Sequence, residues 1–159
     1  MVQKRFGFVS VARFPAVIFH AYKTYASVLH CRNNRILLAL AASQGWSLFQ
    51  SDIEQAFLFG ELDDVNLYIA QVPGVPCPPG HVCCLQKAVY GLHQAPLKFK
   101  QVLVSFFRDQ GYVAANSSET IFIQRSSRGL MIHAIYVDGC LHFTDNPELF
   151  SEFSRLFDC

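Results

Sequence analysis

The sequence predicts an α+β fold, in which a central antiparallel sheet packs against helices. Two short, apolar-rich tracts, residues 46–53 and 131–137, have the length and composition of half-buried strands, and each places an aspartate beside its apolar residues. A glycine turn signal follows the second tract, so residues 140–143 are predicted to form the return strand of a hairpin. Between these tracts, residues 97–110 repeat apolar side chains at helical spacing.

The remaining elements follow from local signals in chain order. Helical periodicity over residues 18–33 predicts an amphipathic helix, and a second helix is predicted to end at Gly45. Pro96 suits a first helical turn and Gly111 a helix stop. The other predicted elements are a short helix at 55–60, strands at 66–72, 82–86, 121–124 and 130–137, a proline-rich loop at 73–80 and a final helix at 147–157. The core-facing side chains expected on helix 97–110 are Phe99, Val102, Leu103, Phe106 and Phe107.

Composition excludes several classes of protein. With 159 residues, 52% of them hydrophobic, the chain can bury one sizeable core and is not expected to be disordered. No apolar run reaches the ~18–20 residues that span a bilayer, and no signal peptide is recognised, so an intracellular protein without a membrane partner is expected. The formal net charge of +1 gives no basic footprint for nucleic acid. The six cysteines match no paired zinc pattern.

The two aspartates are the candidate chemical residues. Carboxylates on neighbouring strands can hold divalent cations, and two cations ~3.5–4 Å apart can clamp both oxygens of a phosphoryl transfer. Asp52 and Asp138 are therefore candidate metal ligands. A simpler alternative stays open for Asp138, because Asp-Gly is also a hairpin turn signal.

Five blocks of sequence, taken in order, resemble the reverse transcriptase of copia-type LTR retrotransposons. The family has PVARF, LLALAA…GW, DVKTAFLNGEL, ALYGLKQAP and YVDD in this order. The matching blocks of this chain are SVARF at 10–14, ILLALAASQGW at 36–46, DIEQAFLFGEL at 52–62, AVYGLHQAP at 88–96 and YVDG at 136–139.

This resemblance implies a fold, a cofactor and a set of roles. It implies reverse-transcriptase fingers and palm over residues 34–159, after a divergent N-terminal segment, residues 1–33, with an insertion at 18–33. It implies Mg²⁺ or Mn²⁺, an RNA/DNA primer–template, deoxynucleotides and other segments of a retrotransposon polyprotein as partners. By resemblance, the catalytic and metal-binding residues are Asp52 and Asp138, and the nucleotide-binding residues are Ile53, Phe57 and Gln94.

The chain also departs from the family pattern. Gly139 stands where the family has its second aspartate, and Leu97 stands where it tends to have arginine. Segments that would grip primer and triphosphate are not recognised, so we expect a partial, inactive copy. The alternative is a domesticated nucleic-acid-binding or structural remnant without catalysis. For Phe57, which by resemblance would exclude a 2′-hydroxyl, a plain core position is the alternative.

Overall fold

The computed structural model describes residues 5–6, 9–13, 25–62, 67–69 and 74–156, the first two ranges as backbone only. In chain order, the elements are β1 (Arg5–Phe6), β2 (Val9–Arg13), α1 (Cys31–Gln44), β3 (Ser47–Asp52), a 3₁₀ turn (Ala56–Phe59), β4 (Leu67–Ile69), β5 (His81–Leu85), α2 (Ala95–Asp109), β6 (Val113–Ala114), β7 (Ile121–Ser126), β8 (Gly129–Tyr136), β9 (Gly139–Thr144) and α3 (Pro147–Ser154). These helices and antiparallel strands confirm the predicted α+β class.

The chain divides into two compact units, which we describe separately. The first contains Met1–Tyr25 and Gln55–Val102, and the second contains Ala26–Glu54 and Leu103–Cys159. The predicted boundary between residues 33 and 34 falls inside α1. None of the helices in the described ranges is long and apolar enough to cross a membrane.

The first unit is built on an antiparallel sheet with the strand order β1-β2-β5-β4. Its central strand, β5, follows a tight turn closed by the amide of His81 and the carbonyl of Pro78. The 3₁₀ turn ends at Gly60, directly against the first turns of α2. A Cβ at Gly60 would lie 2.8 Å from the Cβ of Lys98, so only glycine permits this close approach.

The second unit is built on an antiparallel sheet with the strand order β3-β9-β8-β7-β6. Side chains alternate between its two faces. On one face, Leu37 and Ala41 of α1 pack with sheet residues that include Ala134 and Phe143. On the other face, Phe107 of α2 and Phe153 of α3 stack with ring centroids 6.0 Å apart over the sheet. Helices thus cover both faces of this sheet, whereas the sequence predicted only that the sheet packs against helices.

The structure corrects two sequence-based predictions. The helix predicted over residues 18–33 is absent at residues 25–30, while residues 14–24 lie outside the described ranges. The reason is that Leu29, which is 4% exposed, joins the core beneath α1 instead of following a helix. On α2, Phe99, Leu103 and Phe107 are buried as predicted. Val102 is 40% exposed and Val104 is buried instead, because the buried face extends from Leu103 toward Val104 and not toward Val102.

Candidate active site

Strand pairing brings Asp52 and Asp138 to the same end of the sheet. Asp52 is the last residue of β3 and pairs with Gly139, the first residue of β9. Asp138 lies in the turn that joins β8 to β9. The amide of Ile53 donates to the carbonyl oxygen of Asp138 at 3.1 Å, so backbone bonds connect the two aspartate segments.

Both aspartates line one cavity of about 510 Å³, which we call the aspartate pocket. Asp52 is exposed and Asp138 is half-buried. The pocket lies on the α1 side of the sheet, and its lining residues are Leu29, Cys31, Asn34, Gln50, Asp52, Tyr136, Asp138, Gly139, Cys140 and Leu141. The sequence predicted this common cleft, whereas the catalytic roles of the two aspartates stay predictions.

The turn that carries Asp138 is strained. Tyr136 pairs with Gly139, which leaves Val137 and Asp138 as a two-residue loop. The backbone φ angle of Val137 is +56°, whereas that of Asp138 is not positive. This pattern is typical of a type II′ turn, which normally has glycine where Val137 stands, so a β-branched residue there costs about 1–3 kcal/mol. Asp138 thus lies in the turn, as the simpler alternative expects, but its partner in the loop is Val137, because Gly139 already belongs to β9.

Gly139 leaves room for the carboxylate that the family motif would place there. A Cβ at this position would lie 3.6 Å from the Tyr136 carbonyl oxygen and 3.9 Å from that of Ser51, which are ordinary contacts. Because Gly139 pairs directly with Asp52, such a side chain would point to the same face as Asp52. The pocket thus has two carboxylates and space for a third.

The donor atoms of the pocket fit one hard divalent cation. Mg²⁺ is commonly held by one or two carboxylates, with water and substrate phosphate completing its shell. The pocket is lined by the carboxylate residues Asp52 and Asp138 and by Gln50 and Asn34, whose side chains are amides. The Asn34 Oδ1 atom is buried without a hydrogen-bond partner. Across the described ranges no group of three or more His, Cys, Asp or Glu side chains could hold a metal ion.

The predicted nucleotide-binding residues divide between the two units. Phe57 is buried in the first unit, with its ring 4.6 Å from that of Tyr90 and 6.1 Å from that of Phe99. Gln94 is 6% exposed and immediately precedes α2. Ile53 belongs to the second unit, and its backbone amide donates a hydrogen bond to the carbonyl oxygen of Asp138. Their roles toward a nucleotide stay predictions.

A polar chain beneath the aspartates was not predicted from the sequence. Ser51 Oγ lies 2.7 Å from His142 Nε2, and His142 Nδ1 lies 2.7 Å from His133 Nδ1. Both histidines are fully buried. Burial lowers the pKa of His142 to about 4. Burial, and then the neighbouring His142, lower the pKa of His133 well below its usual value.

The hairpin motif contained a signal for this pair. If Val137 and Asp138 form a two-residue loop, each step away from it pairs one residue of β8 with one of β9. His133 then falls directly opposite His142, as observed. Two histidines that face each other in otherwise apolar strands predict a polar pair in the core.

Comparison with known proteins identifies the family of this chain. Residues 5–158 match the family model described as reverse transcriptase (RNA-dependent DNA polymerase). The Retrovirus-related Pol polyprotein from transposon RE1 of Arabidopsis thaliana is 33% identical over 129 residues, 80% of this chain and 9% of that protein. The corresponding polyprotein from transposon RE2 of the same plant is 34% identical over 121 residues, 75% of this chain and 8% of that protein.

A third relative belongs to another plant. The Retrovirus-related Pol polyprotein from transposon TNT 1-94 of Nicotiana tabacum is 33% identical over 120 residues, 74% of this chain and 9% of that protein. The chain therefore spans less than a tenth of the length of these three relatives. No solved structure matches it. These matches confirm the copia-type resemblance of the sequence blocks, and the chain belongs to the reverse transcriptase (RNA-dependent DNA polymerase) family.

Proposed function

We propose that this chain is a fingers-and-palm part of a copia-type reverse transcriptase, and that Asp52 and Asp138 hold a divalent cation, Mg²⁺ or Mn²⁺. One observation carries the proposal, namely that both aspartates line one pocket at the end of adjacent strands. The substrates would be an RNA/DNA primer–template and a deoxynucleotide, and the partners would be other segments of a polyprotein.

The bound cation would neutralise charge on the nucleotide triphosphate, which is the main catalytic need of phosphoryl transfer. Asp52 and Asp138 would fix its position from rigid strand ends. Phe57 would select against a 2′-hydroxyl, and Ile53 and Gln94 would contact the nucleotide. Because the Ile53 amide is already bonded to Asp138, the contribution of Ile53 falls to its half-buried side chain.

We further propose that the chain does not synthesise DNA. Gly139 leaves the pocket without one carboxylate on the face of Asp52, which lowers the negative charge available to hold cations. A net charge of +1 adds little affinity for phosphates of a primer–template. Membership of the reverse transcriptase family favours a reverse-transcriptase domain over a domesticated binding module.

A primer-extension assay tests this proposal. The purified chain should show no detectable Mg²⁺-dependent extension of a primer on an RNA template. Gly139→Asp should strengthen Mg²⁺ binding, because it adds a carboxylate beside Asp52 at a position where a Cβ makes only ordinary contacts. Robust synthesis by the unmodified chain, abolished by Asp52→Ala, would overturn the proposed inactivity.

A further inference from the structure

A chain of hydrogen bonds crosses the three strands that present the aspartates. It runs from Ser51 on β3 through His142 on β9 to His133 on β8, with both side-chain distances at 2.7 Å. Ser51 immediately precedes Asp52, and consecutive strand residues point to opposite faces. The chain therefore lies on the sheet face opposite to the Asp52 side chain, directly behind it.

The end of β3 is held from one side, by backbone bonds to β9 and to the turn before it. β3 is the edge strand of its five-stranded sheet and pairs only with β9 in the described structure. It ends at Asp52, whose side chain is exposed. A side-chain bond from Ser51 to the neighbouring strand thus holds the strand at the position that presents Asp52 to the pocket.

One proton lies in the hydrogen bond between the two imidazoles. Two Nδ1 atoms 2.7 Å apart need one donor and one acceptor, so the bond exists only when at least one Nδ1 is unprotonated. Aromatic rings enclose the pair, with Phe153 4.2 Å from His133 and Phe150 5.0 Å from His142 between ring centroids. Tyr112, itself buried, packs edge-on to His133 at 4.5 Å. These surroundings favour two neutral rings with fixed tautomers.

We propose that His142, held in turn by His133, is a positioning residue for Asp52, and that it acts through the Ser51 hydroxyl. The inference rests on the proposed function, since it concerns the cation site that Asp52 and Asp138 would form. Partners that hydrogen-bond a metal ligand directly commonly change metal affinity by about 10–100-fold when removed. Ser51 acts through the backbone one residue away, so an effect at the lower end of this range is expected.

Two substitutions of His142 separate its two bonds. In His142→Gln the side-chain nitrogen reaches the place of Nε2, so the bond to Ser51 is kept and that to His133 is lost. In His142→Asn the nitrogen takes the place of Nδ1, so the bond to His133 is kept and that to Ser51 is lost. Ser51→Ala removes the hydroxyl, and Ser51→Thr is its matched control because it keeps the hydroxyl.

Mn²⁺ binding, followed by electron paramagnetic resonance, is the test. Ser51→Ala and His142→Asn should bind Mn²⁺ about tenfold more weakly than the unmodified chain, the lower end of the range for such partners. His142→Gln and Ser51→Thr should bind close to the unmodified value. Thermal unfolding without metal is measured in parallel. If His142 had only a structural role, Mn²⁺ affinity would fall in every variant of reduced stability, including the variant that keeps the bond to Ser51.

Asp52→Asn separates failure of this inference from failure of the proposed function. If Asp52→Asn abolishes Mn²⁺ binding and both Ser51→Ala and His142→Asn bind normally, the positioning role is wrong and the cation site stands. If Asp52→Asn binds Mn²⁺ like the unmodified chain, the cation site itself is wrong, and the positioning role with it. Should His142→Asn fail to fold, the comparison of Ser51→Ala with Ser51→Thr decides alone, since Ser51 is only half-buried.

Discussion

At the scale of single residues, Gly139 decides how many carboxylates the aspartate pocket holds. It pairs with Asp52 on one side and with Tyr136 on the other, so its missing side chain would have pointed at the site. Its neighbour Val137 holds a left-handed backbone conformation that costs energy for a valine. The hairpin tip thus combines a strained turn at Val137 with a glycine at the position that faces Asp52.

The buried histidine pair predicts loss of stability in mild acid. An unfolded histidine takes up a proton near pH 6.5, whereas His142 in the folded chain does so only near pH 4. The stabilisation is therefore fully present above pH 6.5 and is lost as the pH falls through about 4. Within this window the equilibrium constant for unfolding should rise by up to about tenfold per pH unit because of His142, and His133 acts in the same direction. Urea unfolding at several pH values measures it.

The matched control removes both rings together. His133→Leu with His142→Leu replaces both partners by apolar side chains, which is often nearly neutral for stability at neutral pH. The doubly substituted chain should lose the acid slope, and His81→Leu, at an exposed position, should keep it. An unchanged slope in the double variant would show that other groups cause the acid sensitivity.

At the scale of elements, local signals predicted most of the fold. Gly45 ends α1 with φ +67°, and Pro147 begins α3, both where the sequence placed them. Tertiary packing overrode local periodicity at residues 25–30, because burial of Leu29 in the sheet core outweighed helix formation. Phe57 could not be assigned from sequence, since an aromatic side chain suits a core and a sugar-facing position equally well. Predicting the histidine pair requires the register between β8 and β9. The sequence defines that register only when Val137 and Asp138 are known to be the loop residues.

The N-cap of α3 gives a prediction at this scale. Asn146 accepts the amide of Glu148 at 3.1 Å through its side chain and donates to the Arg128 carbonyl at 3.1 Å. Asn146→Ala removes both bonds and should lower the free energy of unfolding by about 1–2 kcal/mol. Asn146→Asp keeps the capping oxygen and should lose less. Urea unfolding at neutral pH measures both variants, and an equal loss in both would show that capping contributes nothing.

At the scale of the whole molecule, the chain is a reverse-transcriptase part organised in two units. The family model covers both units, from residue 5 to residue 158. α2 begins in the first unit and ends in the second, so one helix belongs to both. The two aspartates lie in the second unit, whereas Phe57 and Gln94 lie in the first. The cation site that we propose for Asp52 and Asp138 therefore lies within the second unit.

Titration of the purified chain with Mn²⁺ tests that claim most directly. The unmodified chain should bind Mn²⁺ at a single site, and Asp52→Asn and Asp138→Asn should each abolish the binding. Asp109→Asn is the matched control, because Asp109 is an exposed aspartate at the end of α2, and it should leave the binding unchanged. Mn²⁺ binding that survives both Asp52→Asn and Asp138→Asn would contradict the account.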